Sequence, residues 1–222
     1  MQSGLHPSIH AFQASQWDAL NPSAYPGLLH GFLSALEDSK SVGEGTGWIP
    51  LYAAVKDGDA LVGAMVCFLK SDSYGEYVFD WSWADAYHRH GLNYYPKCVT
   101  AIPFTPATGP RLLIQAGYDR RVVTELLIKT LKSELSDQVS SWHILFPDEE
   151  TSRDLLTQGF WLKRHGVQFH WFNQGFETFD DHLATFNSKR RKEARRERRR
   201  VQEQGIEFER LSGHAIDREA LE

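Results

Sequence analysis

The sequence has few of the residues that cross-link small domains or bind metal ions. Its only cysteines, Cys67 and Cys98, form no CxxC pair, so neither a disulfide framework nor a cysteine-type zinc site is expected. The ten histidines are scattered and none belongs to an HExxH pattern, so no metal site is predicted. Walker, GxSxG and GxGxxG loops are also missing, which removes the common signatures of phosphate-binding loops, serine hydrolases and dinucleotide-binding folds.

Long hydrophobic runs are absent as well. No apolar stretch approaches the roughly 18 residues of a membrane span, and the N-terminus, MQSGLHPSIHAF, lacks the basic start and apolar stretch of a signal peptide. Hydrophobic residues make up 41% and aromatic residues 13% of the 222 residues, which is enough to build a buried core. We therefore expect a soluble, cytoplasmic protein that is long enough for one well-packed core or for one domain plus a fragment.

Charge is unevenly distributed along the chain. The net charge is −5, but the segment Lys189–Arg200, KRRKEARRERRR, holds nine basic and two acidic residues and carries +7. The remainder carries −12. A mildly acidic body is thus joined to one strongly basic segment.

Hydrophobic periodicity predicts a mixed α/β sheet flanked by helices, because an opening antiparallel hairpin is followed by alternating helices and strands. The hairpin joins Leu51–Val55 to Ala60–Leu69, and Trp142–Phe146 is expected to lie beside Tyr95–Phe104. The other predicted elements are a helix over Pro26–Asp38, a short apolar run at Arg111–Ile114, helices at Asp119–Leu135 and Glu149–Gln158, a hairpin of Phe160–Leu162 with Val167–Phe172, one continuous helix over Asp180–Gln204 and a strand at Ile206–Leu211.

The stretch between Lys70 and Lys97 interleaves acidic residues with aromatic rings. A carboxylate there can accept the proton of an attacking amine, and a tyrosine hydroxyl can return one to the leaving group. The candidate catalytic residues are Glu76, Asp80, Asp85 and Tyr94, with Tyr95 as an alternative proton donor, and the candidate substrate-binding rings are Tyr74, Tyr77, Trp81 and Trp83. The alternative is that the rings simply point inward from strands while exposed or half-buried acids face solvent.

The loop Phe104–Arg111, FTPATGPR, is made rigid by two prolines and a glycine. Thr105, Thr108 and main-chain N–H groups are candidates for binding a phosphate or carboxylate, with Arg111 as a bidentate clamp. The same pattern is also typical of an ordinary tight connection.

The basic segment has three interpretations. Clustered cations can bind tRNA or another polyanion through its phosphates, and the candidates are Arg195, Arg196, Arg198 and Arg199. Contact with an anionic membrane is less favoured, because the apolar stripe of the helix is thin. The third interpretation is a solvated helix that joins two lobes.

The sequence resembles the FemAB-like family, which is connected with peptidoglycan biosynthesis or recognition and placed in the GNAT acyl-CoA N-acyltransferase superfamily. The resemblance lies in SALEDSKSVGEGTGWIP, KSDSYGEYVFDWSWADAYHRHGLNYYPK, IPFTPATGPRLL and KRRKEARRERRRV. It implies a GNAT-like first lobe over residues 1–176. Residues 177–222 would then be the basic helix and first strand of a second GNAT-like lobe that is mostly missing.

The resemblance also implies a function. It implies a bacterial enzyme that transfers an acyl or aminoacyl group to an amine, of which a cell-wall peptide precursor is one candidate. The donor would be an acyl-CoA or an aminoacyl-tRNA, and the acceptor a small-molecule or peptide amine. The alternative is a non-catalytic lobe that recognises a cell-wall peptide or another polymer. The resemblance does not specify whether this chain alone catalyses the reaction or whether it forms oligomers.

One departure concerns the donor. Acetyl-CoA enzymes of this superfamily carry Q/R-x-x-G-x-G/A between the central strand and the following helix. The corresponding stretch in this sequence reads QAGYDRRVV, with Gln115 and Gly117 but without that motif. A tight acetyl-CoA site in this lobe is therefore not expected, which favours the recognition alternative for this lobe.

Overall fold

The chain consists of two structural units. The computed structural model describes residues 1–167 and 169–217. It divides into Met1–Arg164, called unit 1, and the residues from His165 onward, called unit 2. The lobe boundary expected near residue 176 stays a prediction.

Unit 1 contains a six-stranded sheet and five α-helices. The strands are β1 Gln2–His6, β2 Trp48–Asp57, β3 Ala60–Lys70, β4 Lys97–Thr100, β5 Leu113–Ile114 and β6 Trp142–Ile144. The helices are α1 Ala14–Ala19, α2 His30–Asp38, α3 Trp81–Arg89, α4 Arg120–Leu135 and α5 Glu149–Leu156, with short 3₁₀ turns at Ile9–Ala11 and Pro26–Leu28. In unit 2, α6 spans Phe179–Ala184, α7 spans Ser188–Glu203 and a 3₁₀ turn covers Gly213–Ala215.

The sheet is mixed, as the sequence predicts. Its order is β1-β2-β3-β4-β6, with β5 paired to β3. Pairing is antiparallel except between β4 and β6, where Cys98 lies opposite Trp142 in a parallel register. The predicted hairpin and the predicted neighbouring position of the Trp142 strand are both confirmed.

Helices cover both faces of this sheet, because side chains of the central strands alternate between two cores. Tyr52 and Ala54 of β2 join a cluster with residues of α1 and α2. Ala53 and Val55, the intervening residues, join a second cluster with α4 and α5. The sheet is therefore buried on both sides, and its polar functional groups lie near the strand ends.

Local capping explains where two of the covering helices begin. Asp119 accepts hydrogen bonds from the main-chain N–H groups of Arg121 and Val122 at the start of α4. Asp148 does the same for Thr151 at the start of α5. Both helices agree with the sequence prediction, since an acidic N-cap is a strong local signal for a helix start.

Several predicted elements are wrong in detail. The predicted helix over Pro26–Asp38 is a 3₁₀ turn followed by α2, since His30 begins the regular helix. No strand forms at Phe160–Leu162, at the described part of Val167–Phe172 or at Ile206–Leu211. The strand Gln2–His6, which pairs with β2, is not among the predicted elements.

The basic segment is also not one continuous helix. The chain leaves helical geometry after Ala184, and Asn187 caps a new helix by accepting a hydrogen bond from the main-chain N–H of Arg190. Two separate helices, α6 and α7, thus replace the predicted helix over Asp180–Gln204. Within the residues that the structure describes, none of the helices combines the length and apolar character needed to cross a membrane.

Candidate functional site

Two lysines face each other at the end of the sheet. Lys70 is the last residue of β3 and Lys97 the first of β4, and the strand register places them directly opposite each other. Both are fully buried. A buried ammonium group has lost its hydration, so each needs carboxylates or other acceptors close by.

The acceptors of Lys97 come from the segment between the two strands. Its Nζ donates to Ser73 Oγ at 2.9 Å, to Glu76 Oε2 at 2.9 Å and to Asp80 Oδ2. Both carboxylates are almost completely buried, with 3% of Glu76 and 2% of Asp80 exposed. The segment Ser73–Asp80 therefore closes over the strand end through one ammonium group, and we call these four residues, together with Tyr94, the Lys97 cluster.

A chain of polar contacts leads from this cluster to β6. Tyr94 donates its hydroxyl proton to Asp80 Oδ2 at 2.6 Å. The same hydroxyl lies 3.4 Å from His143 Nε2, and Ser141 Oγ lies 2.8 Å from that nitrogen. Because β4 and β6 are parallel neighbours, side chains separated by more than 40 residues in sequence come together at this strand end.

The two carboxylates have different acidities. Burial raises the pKa of Glu76, and its hydrogen bond with Lys97 only partly offsets this effect. Burial also acts on Asp80, but hydrogen bonds from Lys97, Ser73 and Tyr94 outweigh it and hold the pKa of Asp80 below its ordinary value. Glu76 is thus the better proton acceptor, whereas Asp80 remains ionised.

The pKa values of the neighbouring groups are shifted as well. Burial, with the adjacent Asp80, raises the pKa of Tyr94, so its hydroxyl stays protonated. Burial, together with the positive charge of Lys97, lowers the pKa of His143 to about 4, so its ring is neutral at pH 7. The site therefore combines one proton acceptor, one hydroxyl donor and one neutral imidazole.

Two carboxylate oxygens in the cluster lack a hydrogen-bond donor. Glu76 Oε1 and Asp80 Oδ1 are buried and have no partner among the described residues. An unpartnered buried carboxylate oxygen is costly, because desolvation of the charged group is not compensated. These two atoms are the unsatisfied acceptors of the Lys97 cluster.

Lys70 is held differently. Its Nζ lies 3.9 Å from the centre of the Trp48 ring and donates to the main-chain oxygen of Tyr74 at 3.1 Å. Asp72 is its ion-pair partner at 3.4 Å. Burial lowers the pKa of Lys70, and Asp72 opposes that shift. This second lysine fixes the start of the same segment.

The predicted catalytic residues divide into two groups. Glu76, Asp80 and Tyr94 lie together in the Lys97 cluster, although the carboxylates are buried and not exposed or half-buried as expected. Asp85 lies elsewhere. Its carboxylate is 63% exposed on α3 and pairs with Arg89 one turn away, which is a solvated contact of little energetic value.

Two of the predicted aromatic rings, Tyr74 and Tyr77, lie on the segment Ser73–Asp80, and the other two, Trp81 and Trp83, lie on α3 directly after it. All four are exposed, from 45% for Trp83 to 70% for Tyr74, and Tyr74 packs edge-on against Trp81 with ring centres 5.5 Å apart. Trp83 contacts the guanidinium of Arg164. A role in binding substrate stays a prediction for Tyr74, Tyr77, Trp81 and Trp83.

Among the described residues, no contact links Thr105, Thr108 or Arg111 to the Lys97 cluster. Arg111 is buried, and its guanidinium donates to the main-chain oxygens of Ala107, Pro110 and Leu145. Thr105 donates to the oxygen of Pro103. This arrangement disfavours the predicted role of Arg111 as a ligand clamp, because all three nitrogen atoms of its guanidinium already donate to main-chain oxygens.

Thr108 is exposed, and its main-chain oxygen accepts a hydrogen bond from the Tyr25 hydroxyl at 3.3 Å. A ligand-binding role for Thr105 or Thr108 stays a prediction.

Comparison with known proteins adds to this geometry. The family model described as FemAB-like, peptidoglycan biosynthesis/recognition, matches residues 8–222. The chain belongs to the FemAB-like family. No curated protein matches the sequence significantly.

Solved structures similar to this FemAB-like chain include two crystal forms of the aminoglycoside N-acetyltransferase AAC(6')-Iy in complex with CoA. The first has 12% identity and a TM-score of 0.42, covering 78% of this chain and 99% of the other. The second has 9% identity and a TM-score of 0.44, with 78% and 94% covered. The family assignment therefore rests on the match over residues 8–222.

The α4 N-terminus of this FemAB-like protein does not suit the pyrophosphate of CoA. A phosphate at a helix start needs free main-chain N–H groups. In this chain the carboxylate of Asp119 accepts hydrogen bonds from the N–H groups of Arg121 and Val122. It would also repel a phosphate. Together with the missing glycine motif, this disagreement argues against any reaction step that depends on CoA bound at α4.

Sequence reasoning missed several members of the site. Lys97, Ser73, Ser141 and His143 are not among the predicted residues, yet they make up much of the polar network. A signal for Lys97 does exist, since a lysine directly precedes the apolar run CVTAI and so begins a buried strand. A buried lysine requires acidic partners, and Glu76, Asp80 and Asp85 precede it in the sequence, although only the first two become its partners.

In unit 2, each of the four arginines predicted to bind polyanions already has a partner. Arg195 pairs with Asp180 at 3.0 Å, and Arg198 lies over the ring of Phe179 at 4.3 Å. The other two form ion pairs within α7, Arg196 with Glu193 and Arg199 with Glu203. All these ion pairs are at least half exposed, so they are weak and can exchange with phosphates.

Proposed function

We propose that unit 1 is the catalytic lobe of an acyl- or aminoacyl-transferase that acylates an amine. Membership of the FemAB-like family supports this reaction class, and an amine of a cell-wall peptide precursor is the acceptor that this membership favours. The observation that carries the proposal is the Lys97 cluster, in which a carboxylate of raised pKa lies beside a protonated hydroxyl. A bacterial origin and a cytoplasmic location belong to the same proposal.

The mechanism assigns the proton acceptor to Glu76, in place of Asp80. The acceptor amine attacks the carbonyl carbon of the acyl donor, so a C–N bond forms while the bond from carbon to the leaving heteroatom breaks. The proton lost by the amine goes to Glu76, whose raised pKa makes it the stronger base. The free oxygen Oε1 is the atom that would receive it.

The remaining groups set up this transfer. Lys97 holds Glu76 and Asp80 in place with its three N–H groups, and Tyr94 is the hydroxyl donor beside the carboxylates that can turn to stabilise negative charge on the carbonyl oxygen. Tyr94 can supply the proton that the leaving group needs and recover it from Glu76, so that protons balance over one cycle. Asp80 stays ionised and positions Tyr94 and Lys97.

The donor is an acyl-CoA or an aminoacyl-tRNA, as the family implies. The occupied N-terminus of α4 favours a donor that does not depend on that helix. A metal ion has no role in the proposal, and the described residues contain no group of three or more potential ligands.

A second function has its own support. Glu76 and Asp80 are almost fully buried, whereas the rings of Tyr74 and Tyr77 on the same segment and of Trp81 and Trp83 on α3 are exposed. In that case the Lys97 cluster is structural, and unit 1 recognises a cell-wall peptide or another polymer on the aromatic surface without catalysis.

The test is an acyl-transfer assay by mass spectrometry. The full chain is incubated with an amine-bearing peptide and, separately, with acetyl-CoA or with aminoacyl-tRNA. Glu76→Gln preserves size and hydrogen bonding but cannot take up the proton, so we expect a loss of roughly 100-fold or more. Glu125→Gln, which removes an exposed carboxylate on α4, is the matched control and should keep full activity.

Two outcomes would contradict the transferase. In the first, the Glu76→Gln variant is as active as the unmodified chain, which would show that Glu76 is not the base. The other is the absence of transfer with both donors while the peptide still binds and binding is lost in Trp81→Ala, which would establish the recognition function.

A further inference from the structure

Unit 2 contains a pocket that no part of the proposed reaction uses. Its volume is about 450 Å³. It is lined by Trp171, Asn173, Phe176, Thr178, Phe179 and His182, all of which lie within unit 2. Aromatic rings dominate this lining, so the pocket suits a flat ligand.

The rings are arranged around His182. Its ring centre lies 5.4 Å from those of Trp171 and Phe176, and 4.9 Å from that of Phe186. Trp171 and Phe176 are close to parallel, with 26° between their planes. His182 Nδ1 is buried and has no hydrogen-bond partner within the described residues. A planar ring with its own donor or acceptor groups would match both features.

The basic face of α7 runs beside this pocket. Arg191, Arg195 and Arg198 follow each other at spacings of four and three residues, so they share one side of the helix. Arg191 donates to the main-chain oxygens of Leu183, Ala184 and Phe186 and so fixes α7 to the end of α6.

The next two arginines on that face reach the start of α6. Arg195 pairs with Asp180, and Arg198 lies over Phe179, one of the rings that line the pocket. The cationic side of α7 is therefore continuous with the aromatic lining.

We propose that this surface binds a single-stranded nucleic acid, with one base in the pocket and the adjoining phosphates on Arg195, Arg198 and Arg199. Base stacking on aromatic rings combined with cations along the backbone is how sequence-tolerant single-strand binding is achieved. The charge of α7 complements such a strand, since this helix holds nine basic and three acidic residues. Phosphates would replace the weak, exposed partners of the arginines.

An anionic membrane is the less suitable occupant. A helix that lies in a membrane interface buries an apolar face. Ala194 and Val201 are the only apolar residues of α7, and the helix has no buried residue. The aromatic rings nearest to it form a pocket.

The experiment is fluorescence anisotropy with a labelled 12-residue oligouridylate, on the full chain at low and moderate salt. We expect binding that weakens steeply with salt, because phosphate contacts release counterions. Trp171→Ala should weaken binding roughly tenfold, about the contribution of one stacked base, and Trp171→Phe should restore most of it. Arg195→Gln with Arg198→Gln should weaken binding and reduce its salt dependence. Arg121→Gln, an exposed arginine on α4, should have no effect.

Competitors distinguish the other occupants. Uridine monophosphate is added as a competitor. If it displaces the labelled oligomer as effectively as unlabelled oligomer does at the same nucleotide concentration, the ligand is a free nucleotide and not a strand. Binding to vesicles with anionic lipid, without binding to the oligomer, would assign the surface to a membrane. The proposal is overturned if the oligomer does not bind at low salt. It is also overturned if Trp171→Ala binds as tightly as the unmodified chain while its α-helical circular dichroism is unchanged. Each of these results leaves the proposed chemistry of unit 1 untouched.

Discussion

At the scale of single residues, the site is held together by charge. Lys97 is a fully buried cation between two buried carboxylates, and each of the three groups is tolerable only because the others are present. The cation also acts on its surroundings, since its charge and local burial keep the imidazole of His143 neutral. A substitution in this cluster therefore changes the protonation of its neighbours as well as the contact it removes.

The titration of His143 gives a prediction about stability. The pKa of His143 is lowered from 6.5 to about 4 in the folded protein. The unfolded chain therefore takes up a proton at a higher pH than the folded chain, and stability is lost as the pH falls from about 6.5 to about 4. We expect His143→Gln to remove about 3 kcal/mol of this acid-induced loss, measured by urea titration as the change in unfolding free energy between pH 6.5 and pH 4.

The control for that measurement is His88→Gln, which changes an exposed histidine on α3. It should follow the unmodified protein over the whole range, because it leaves His143 and its buried surroundings in place. Parallel curves for His143→Gln and the unmodified protein would mean that His143 is protonated freely in the folded state.

At the scale of elements, helix ends are set by side chains that cap them. The break between α6 and α7 shows this clearly, because Asn187 caps α7 and the guanidinium of Arg191 takes up three main-chain oxygens at the end of α6. An arginine that satisfies carbonyl groups at a helix C-terminus also interacts favourably with the helix dipole. Arg191 is thus a structural residue within a segment that otherwise reads as a uniform basic run.

This role predicts a local effect of Arg191→Gln. Loss of charge-assisted hydrogen bonds worth about 1.5–3 kcal/mol should fray α6, and amide hydrogen exchange over residues 179–186 should become roughly tenfold faster or more. Arg190→Gln removes the same charge at an exposed neighbouring position and should leave exchange unchanged. Equal exchange in both variants would assign the stability of α6 to its aromatic contacts.

At the scale of the whole molecule, the N-terminal strand completes the sheet of unit 1. β1 pairs with β2 through five residues, and Ser3 accepts a hydrogen bond from Thr130 on α4. Without β1, the edge of a long, largely apolar strand would be open to solvent and to other chains. The first seven residues are therefore part of the fold, although their local pattern carries no strand signal.

Deletion of residues 1–7 tests this. We expect the melting temperature of unit 1 to fall by roughly 5–15 °C, consistent with a loss of a few kcal/mol in a protein of this size, and the deleted protein to self-associate in size-exclusion chromatography. Gln2→Ala, which keeps the main chain of β1 intact, should melt within a degree or two of the unmodified protein. An unchanged melting temperature on deletion would show that β2 is stable as an edge strand.

The elements whose signals are local follow from the amino-acid sequence alone. The hairpin around Gly58 follows from a turn between alternating strands, and α4 follows from its acidic cap and apolar stripe. The family resemblance added the reaction class, and three of the four predicted catalytic residues, Glu76, Asp80 and Tyr94, do lie together.

The contacts of these residues, in contrast, depend on how distant parts of the chain pack together. Lys97 meets Glu76 and Asp80, and His143 meets Tyr94, because strand register and the parallel pairing of β4 with β6 bring distant parts of the chain together. Arg111 turns inward because main-chain oxygens of its own loop and of Leu145 surround it. Burial then separates the acidities of the two carboxylates, and burial depends on packing that spans the whole of unit 1, which no local pattern in a sequence specifies.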